Sequence, residues 1–205
     1  MIVIIDYGLG NLFSVAKAFE SLGAPVTVSR DPTIVGAAER IVLPGVGAFG
    51  NGIRFLKERK LIPALHEAVL KRGVPFLGIC LGMQLLAEHS TEYGEHQGFG
   101  WVFGAVIKLD ITGAGLKIPH IGWNQVIFKK EHPLFLGIKQ GADFYFVHSY
   151  ELQPTDLEDL LAVSHYGKEM TAAVGRKNIV GVQFHPEKSQ DNGLKLLRNF
   201  ISWKP

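Results

Sequence analysis

The sequence predicts an α/β fold, a mixed and mostly parallel sheet with helices on both faces and antiparallel additions in the C-terminal half. Three observations carry this expectation. The first half alternates short, uninterrupted apolar runs with amphipathic segments of helical length. The second half offers further apolar runs separated by turn chemistry such as Thr112-Gly113-Ala114-Gly115, with little helix between them. No internal repeat, low-complexity tract or Pro/Gly/Ser linker divides the 205 residues, so a single domain spanning residues 1–205 is expected.

Ile2 to Ile5 is apolar throughout, which fits a strand covered on both faces, and Leu12 to Leu22 follows as a crossover helix. Val26 to Val28 and Ile41 to Leu43 read as the next strands. Ile53 to Leu70 reads as helix with Pro63 inside it. A proline lacks the amide hydrogen and crowds the preceding turn, so the segment is expected to break into two helices there. Val74 to Ile79 is another strand buried on both faces, and Met83 to His89 the helical run after it. Trp101 to Leu109, Gln125 to Phe128, Phe144 to Tyr150, Leu160 to His165 and Ile179 to Phe184 are strand candidates, expected as antiparallel additions to the same sheet. Asn192 to Trp203 closes the chain as a helix whose Leu194, Leu197, Phe200 and Ile201 form a packing stripe.

Composition narrows the possible roles. The chain is 47% hydrophobic and 20% charged, enough to bury a real core, and its net charge of +2 is spread in pairs such as Lys71-Arg72 and Lys129-Lys130. Such pairs read as solvated surface, so no nucleic-acid partner is expected. No apolar stretch approaches the ~18 residues needed to span a bilayer, and the first residues lack the basic region of a signal peptide. A single cysteine forms no intrachain disulfide, and a cytoplasmic protein with no membrane partner is expected. No cofactor or metal is expected either. Gly8-Leu9-Gly10 fails the dinucleotide pattern because Phe13 stands at the third glycine position, no Walker sequence is present, and Glu88, His89, Glu92 and His96 lack zinc-ligand spacing.

Cys80 is the first candidate for chemistry. Gly78-Ile79-Cys80-Leu81-Gly82 lies between a buried strand and a helical run and has the glycine-x-nucleophile-x-glycine form of a nucleophile elbow. Glycines two residues away on each side let neighbouring strands and a substrate approach a side chain held in strained backbone. A lone cysteine is usually a small buried hydrophobe; the elbow reverses that prior. A thiol that expels an amine needs a group to protonate the leaving nitrogen, most often a histidine oriented by an acceptor. Phe184-His185-Pro186-Glu187 supplies both at the end of an apolar strand. In extended backbone residues 185 and 187 project to the same side. His148 is the competing histidine, also at a strand end, but without a carboxylate two residues on. His66, His89 and His96 are expected on solvated surface. Pro44-Gly45-Val46-Gly47 follows the strand Ile41 to Leu43, so the backbone N–H groups of Val46 and Gly47, with that of Leu81, are candidates for an oxyanion hole.

With an elbow cysteine, a glycine loop upstream and His-Pro-Glu 105 residues downstream, the chain resembles the triad class, class I, of glutamine amidotransferases. The resemblance runs end to end. It is carried by Asp6-Tyr7-Gly8-Leu9-Gly10-Asn11, Pro44 to Phe49, Gly78 to Leu86, Pro119-His120-Ile121-Gly122-Trp123-Asn124, Phe146 to Tyr150 and Gln183 to Ser189. It implies a single flavodoxin-like domain and a Cys80-His185-Glu187 triad that hydrolyses L-glutamine to L-glutamate and ammonia through a thioester. Gly47, Gln84, Glu92, Ser149 and Tyr150 match glutamine-binding positions. The Asp-Tyr-Gly and Gly-Trp-Asn motifs resemble the branch of the class that serves histidine biosynthesis. That branch implies a heterodimer in which ammonia passes to a cyclase subunit, a (β/α)8 barrel, to give imidazole glycerol phosphate and an aminoimidazole carboxamide ribotide. Asn11, Pro119, Gly122, Trp123, Asn124 and Lys188 match positions at that interface. The alternatives are another triad amidotransferase, a stand-alone γ-glutamyl hydrolase, and a flavodoxin-like binding module whose triad is fortuitous. The same two motifs weigh against the first two.

Overall fold

The computed structural model describes residues 1–205. In chain order its elements are β1 (Ile2–Ile5), α1 (Leu12–Ser21), β2 (Val26–Ser29), α2 (Pro32–Gly36), β3 (Arg40–Gly45), α3 (Phe49–Glu58), α4 (Leu61–His66), β4 (Phe76–Cys80) and α5 (Leu81–Gln84). The second half contributes β5 (His89–Ser90), β6 (His96–Gln97), β7 (Gly104–Lys108), β8 (His120–Phe128), β9 (Ala142–His148), β10 (Tyr150–Pro154), β11 (Leu160–Tyr166), β12 (Lys168–Arg176), β13 (Ile179–Val182) and α6 (Gln190–Ser202).

Nine strands form one sheet in the order β2-β1-β3-β4-β13-β12-β11-β8-β9. The first five are mutually parallel and the rest are joined antiparallel, giving the predicted mixed sheet. Successive strand side chains point to opposite faces, and here both faces are covered. Ile2 and Ile4 enter a core shared with Phe19 of α1 and Leu196, Leu197 and Phe200 of α6. Val3 and Ile5 enter a second core with Ile53 and Leu56 of α3, Leu61 and Leu65 of α4 and Met83 of α5. That double coverage is why the N-terminal strands are apolar without alternation.

Several sequence expectations are corrected. The helical segment breaks at Lys60, whose backbone is left-handed with φ +56°, and not at Pro63. Pro63 is the third residue of α4, where the missing amide has no intrahelical acceptor to lose. The stretch Phe144 to Tyr150 is two strands. β9 stays in the main sheet, while β10 joins a separate four-stranded sheet ordered β10-β7-β5-β6, so not all the C-terminal strands extend the first sheet. Ser149 is the crossing point, its carbonyl accepting from Leu109 N at 2.9 Å. β12 went unpredicted because Lys-Glu-Met-Thr-Ala-Ala-Val-Gly-Arg is small and polar; its neighbours β11 and β13 bury it. His66 is packed against the rings of Phe99 and Trp101 instead of standing in solvent. No helix is long and apolar enough to cross a membrane.

Candidate active site

Cys80 ends β4 in a conformation that L-residues rarely adopt, φ +54° and ψ −111°, and α5 starts at the next residue. The two flanking glycines are sterically required. A Cβ on Gly82 would lie 1.8 Å from the carbonyl oxygen of Leu43 in β3, and one on Gly78 would lie 2.5 Å from the carbonyl of Gly82. The turn thus closes only because backbone packs on backbone, which holds the strained tip in place. Gly45, paired with Cys80 in the β3–β4 register, is equally enclosed, since a Cβ there would meet the Tyr7 hydroxyl at 2.1 Å.

β13 runs parallel to β4, with Val182 opposite Ile79, so the chain leaving β13 emerges beside Cys80. His185 is extended, but Pro186 to Lys188 forms a single 3-10 turn. That turn, not an extended strand, folds the Glu187 carboxylate back onto the ring, with His185 Nδ1 to Glu187 Oε1 at 2.8 Å. Both side chains are almost fully buried, 3% and 2% exposed. The backbone is clamped as well. His185 N donates to Tyr145 O at 2.8 Å, and the Ser189 hydroxyl donates to His185 O at 2.6 Å. With Nδ1 spent on Glu187, Nε2 has no hydrogen-bond partner and is the atom available to Cys80. Burial by itself lowers the basicity of the ring; Cys80 and Glu187 beside it override that and push its pKa up to about 10. An imidazolium able to deliver a proton next to the sulfur is thereby favoured.

Cys80 opens into a cavity of about 440 Å³ that brings together Val46, Gly47, Leu81, Gln84, Glu92, Ser149 and Tyr150. The amides of Val46 and Gly47 donate no backbone hydrogen bond, and Leu81 opens a helix, where an N–H has no intrahelical acceptor. Glu92 is buried; its Oε2 accepts from Phe49 N at 2.7 Å, capping α3, which leaves Oε1 for a ligand. Gln84 spends both amide hydrogens, on Tyr150 O at 2.9 Å and Gln183 Oε1 at 3.1 Å, so only its carbonyl oxygen can serve a ligand. A larger cavity of about 680 Å³ adjoins this one at Ala48, Glu92 and Tyr93, but Cys80 does not line it, and its walls carry the charged side chains of Arg54, Lys57 and Glu58. No group of three or more His, Cys, Asp or Glu side chains is placed to hold a metal ion.

Sequence reasoning missed two residues here, Gln183 and Tyr7, and left His148 as the competing base. His148 lines the same cavity, yet its Nδ1 meets Tyr150 O at 2.9 Å and its Nε2 meets His120 Nδ1 at 3.0 Å. Both nitrogens are occupied, so it has no free atom for general base work, whereas His185 has one. Gln183 is fully buried and its Nε2 lies 3.7 Å from Cys80 Sγ. Tyr7 is fully buried with an unpartnered hydroxyl, its pKa raised by burial and then by Cys80. The signal for Gln183 was a polar residue between Val182 and Phe184 in an otherwise apolar strand.

Of the residues matched to a partner surface, only Pro119 borders this cavity. Gly122, with φ +129°, Trp123 and Asn124 lie along β8, and Trp123 is 48% exposed, edge-on to Tyr145 at 6.0 Å. The Lys188 ammonium lies over the other neighbour of that cluster, the Tyr145 ring, at 5.6 Å. Asn11 caps α1, accepting from Ser14 N, directly after a loop in which Gly10 packs on Pro44 and Gly45.

The chain is similar along its whole length to proteins of one family. The chain is 49% identical over 212 residues to the imidazole glycerol phosphate synthase subunit HisH of Rhodospirillum rubrum, covering 100% of this chain and 99% of that one. It is 51% identical over 199 residues to the protein of the same name from Aquifex aeolicus, covering 97% and 94%. Among solved structures it superposes on a glutamine amidotransferase with a TM-score of 0.75 at 17% identity, covering 98% of each chain. PurLQS from Thermotoga maritima gives the same TM-score at 19% identity, with 98% and 97% covered. The family model for glutamine amidotransferase class-I matches residues 3–203. The chain therefore belongs to the class-I glutamine amidotransferase family.

Proposed function

We propose that the whole chain, residues 1–205, is one glutamine amidotransferase domain that acts as the ammonia-producing subunit of an imidazole glycerol phosphate synthase. The observation that carries the chemistry is the pairing of a strained elbow cysteine with a buried histidine whose Nδ1 is held by Glu187 and whose Nε2 is unspent. Cys80 sulfur attacks the side-chain carboxamide carbon of glutamine. The carbonyl oxygen takes the negative charge and is met by the N–H groups of Val46, Gly47 and Leu81. Collapse of this adduct breaks the C–N bond while His185 delivers a proton to the nitrogen, so ammonia leaves and a γ-glutamyl thioester remains. Water, deprotonated by the same histidine, attacks the thioester, releasing glutamate and the thiol. Gly47, Gln84, Glu92, Ser149 and Tyr150 hold the substrate, with the free Glu92 oxygen suited to its α-ammonium group.

Free ammonia protonates in water, so it has to reach its acceptor under cover. The relatives at about half identity are named as subunits. The partner in this reading is a cyclase subunit with a (β/α)8 barrel, seated on Asn11, Pro119, Gly122, Trp123, Asn124 and Lys188 to form a heterodimer. Its products are imidazole glycerol phosphate and an aminoimidazole carboxamide ribotide, an activity of histidine biosynthesis in the cytoplasm. Exposed aromatic and apolar side chains beside the cavity mouth, Ile121 and Trp123 foremost, suit such a docking face.

The test is Cys80→Ala in the reconstituted pair. Glutamine turnover should vanish while synthesis from added ammonium salts persists. Loss of both would make Cys80 a structural residue, and glutamate release by the wild type that ignores the cyclase would point to a stand-alone hydrolase.

A further inference from the structure

A chain of side-chain hydrogen bonds joins the β8 face to the glutamine cavity, and backbone groups at its ends fix its direction. Asn124 Oδ1 accepts from the backbone N–H of Gln125 at 2.8 Å, which settles the orientation of the amide. One Asn124 Nδ2 hydrogen goes to the carbonyl of His165 at 2.9 Å and the other points to His120 Nε2 at 3.2 Å. An amide NH₂ only donates, so His120 Nε2 is an acceptor and the proton of that ring is on Nδ1. His120 Nδ1 in turn lies 3.0 Å from His148 Nε2, which must accept. The His148 proton is then on Nδ1, where it donates to the carbonyl of Tyr150 at 2.9 Å. Both rings are buried, and burial pushes each down to about 4, so each carries one proton at neutral pH.

The terminal carbonyl is shared with the machinery around the sulfur. Tyr150 O also accepts from Gln84 Nε2, Gln84 donates its other hydrogen to Gln183 Oε1, and Gln183 Nε2 faces Cys80 Sγ. Moving one proton on one ring would upset this set. With His148 protonated on Nε2, that hydrogen would meet the Nδ1 hydrogen of His120 head-on, and the Nδ1 lone pair would face the Tyr150 oxygen.

We propose that His148 is a positioning residue of the glutamine pocket, locked as its Nδ1–H tautomer by the one-way chain Asn124 to His120 to His148. It acts through the Tyr150 carbonyl, holding the Ser149-Tyr150 backbone against the substrate, and it takes no part in proton transfer. This rests on the glutaminase reading for its consequence but not for its geometry.

Two measurements separate the two. Ring-nitrogen NMR of the full-length wild-type chain reads the tautomers directly and needs no activity. Both His120 and His148 should carry their proton on Nδ1; an Nε2–H or mixed population at His148 would overturn the proposal whatever the enzyme does. Kinetics on the complex then tests the consequence. His120→Phe keeps an aromatic ring against Phe146 and Tyr166, 4.9 and 4.1 Å away between centroids in the wild type, but removes the donor to His148. KM for glutamine should rise about tenfold, the equivalent of one net hydrogen bond, with a smaller change in kcat. His120→Asn returns an amide donor near the Nδ1 position and should bring KM back most of the way. An unchanged KM in His120→Phe, or equal loss in both variants, would reduce the chain to packing and sink the proposal. Absence of glutamate formation by the wild-type complex would instead overturn the glutaminase reading and, with it, the role assigned to His148 there.

Discussion

The β3–β4–β13 rim and the β8–β9 ribbon face the same cavity but are held by different forces. Around Cys80 the geometry is enforced by contacts too close for any side chain, with Gly82 against the Leu43 carbonyl and Gly78 against the Gly82 carbonyl. Around His148 it is enforced by hydrogen bonds between neutral buried groups, each of which can in principle be redrawn by moving a proton. Steric confinement suits the nucleophile proposed at Cys80, which must stay strained through every turnover. A hydrogen-bonded ribbon suits the side on which we propose that a partner docks, because such bonds can rearrange at the cost of about 1 kcal/mol each, whereas backbone collisions cannot.

Substitutions on the two sides should break differently. The largest effect is expected from Gly82→Ala, whose Cβ would overlap the Leu43 carbonyl at 1.8 Å. We expect a loss of at least about 4 kcal/mol, measured by urea unfolding, or failure to accumulate folded protein. Glu187→Gln should leave the fold intact yet reduce kcat by about 10²–10⁴-fold, since the imidazolium loses its charged acceptor. An NMR titration should show the His185 pKa falling from about 10 in the same variant. Stability tied to a raised histidine pKa is full below the ordinary value of 6.5 and is lost as pH rises through the folded value, so the contribution of His185 fades toward pH 10.

The ribbon should show the opposite sign. His120 and His148 are depressed by burial to about 4. As pH falls from 6.5 through 4, the unfolded chain takes up protons that these rings refuse in the fold, so stability drops, by at most about 1.4 kcal/mol per pH unit for each ring. The urea midpoint should be lower at pH 5 than at pH 7, and His120→Phe should shrink that gap; an equal gap in the variant would remove His120 from the effect. The smallest change in stability is expected from Trp123→Ala, because the ring is half exposed. In the proposed heterodimer its cost should fall on affinity for the cyclase subunit instead, about tenfold by titration calorimetry.

Much of the first half was legible because strands buried on both faces leave unbroken apolar runs, and Gly78-x-Cys80-x-Gly82 encodes a turn by what it lacks. His185 and Glu187, the proposed base and its orienter, could be picked out because a carboxylate stands two residues after a histidine at the end of an apolar strand. The manner of their meeting could not. A 3-10 turn and an extended segment are both compatible with His-Pro-Glu, and the parallel pairing of β13 with β4 decides which one carries the carboxylate to Nδ1. The transfer of β10 to a second sheet was equally hidden, because its partner β7 lies far back in the sequence, and β12 was hidden by its own small and polar composition although its partners are its chain neighbours β11 and β13.

By itself the sequence determined the fold class and the family and singled out Cys80 as the nucleophile we propose, since these depend on local periodicity and on short motifs whose steric meaning is contained within a few residues. The tertiary structure decided which histidine has a free nitrogen. His185 and His148 each stand near a strand end, and nothing within five residues says that His120, 28 positions away, will occupy the Nε2 of one and leave that of the other open. A hydrogen bond across a sheet depends on register, and register is set by the packing of the whole chain.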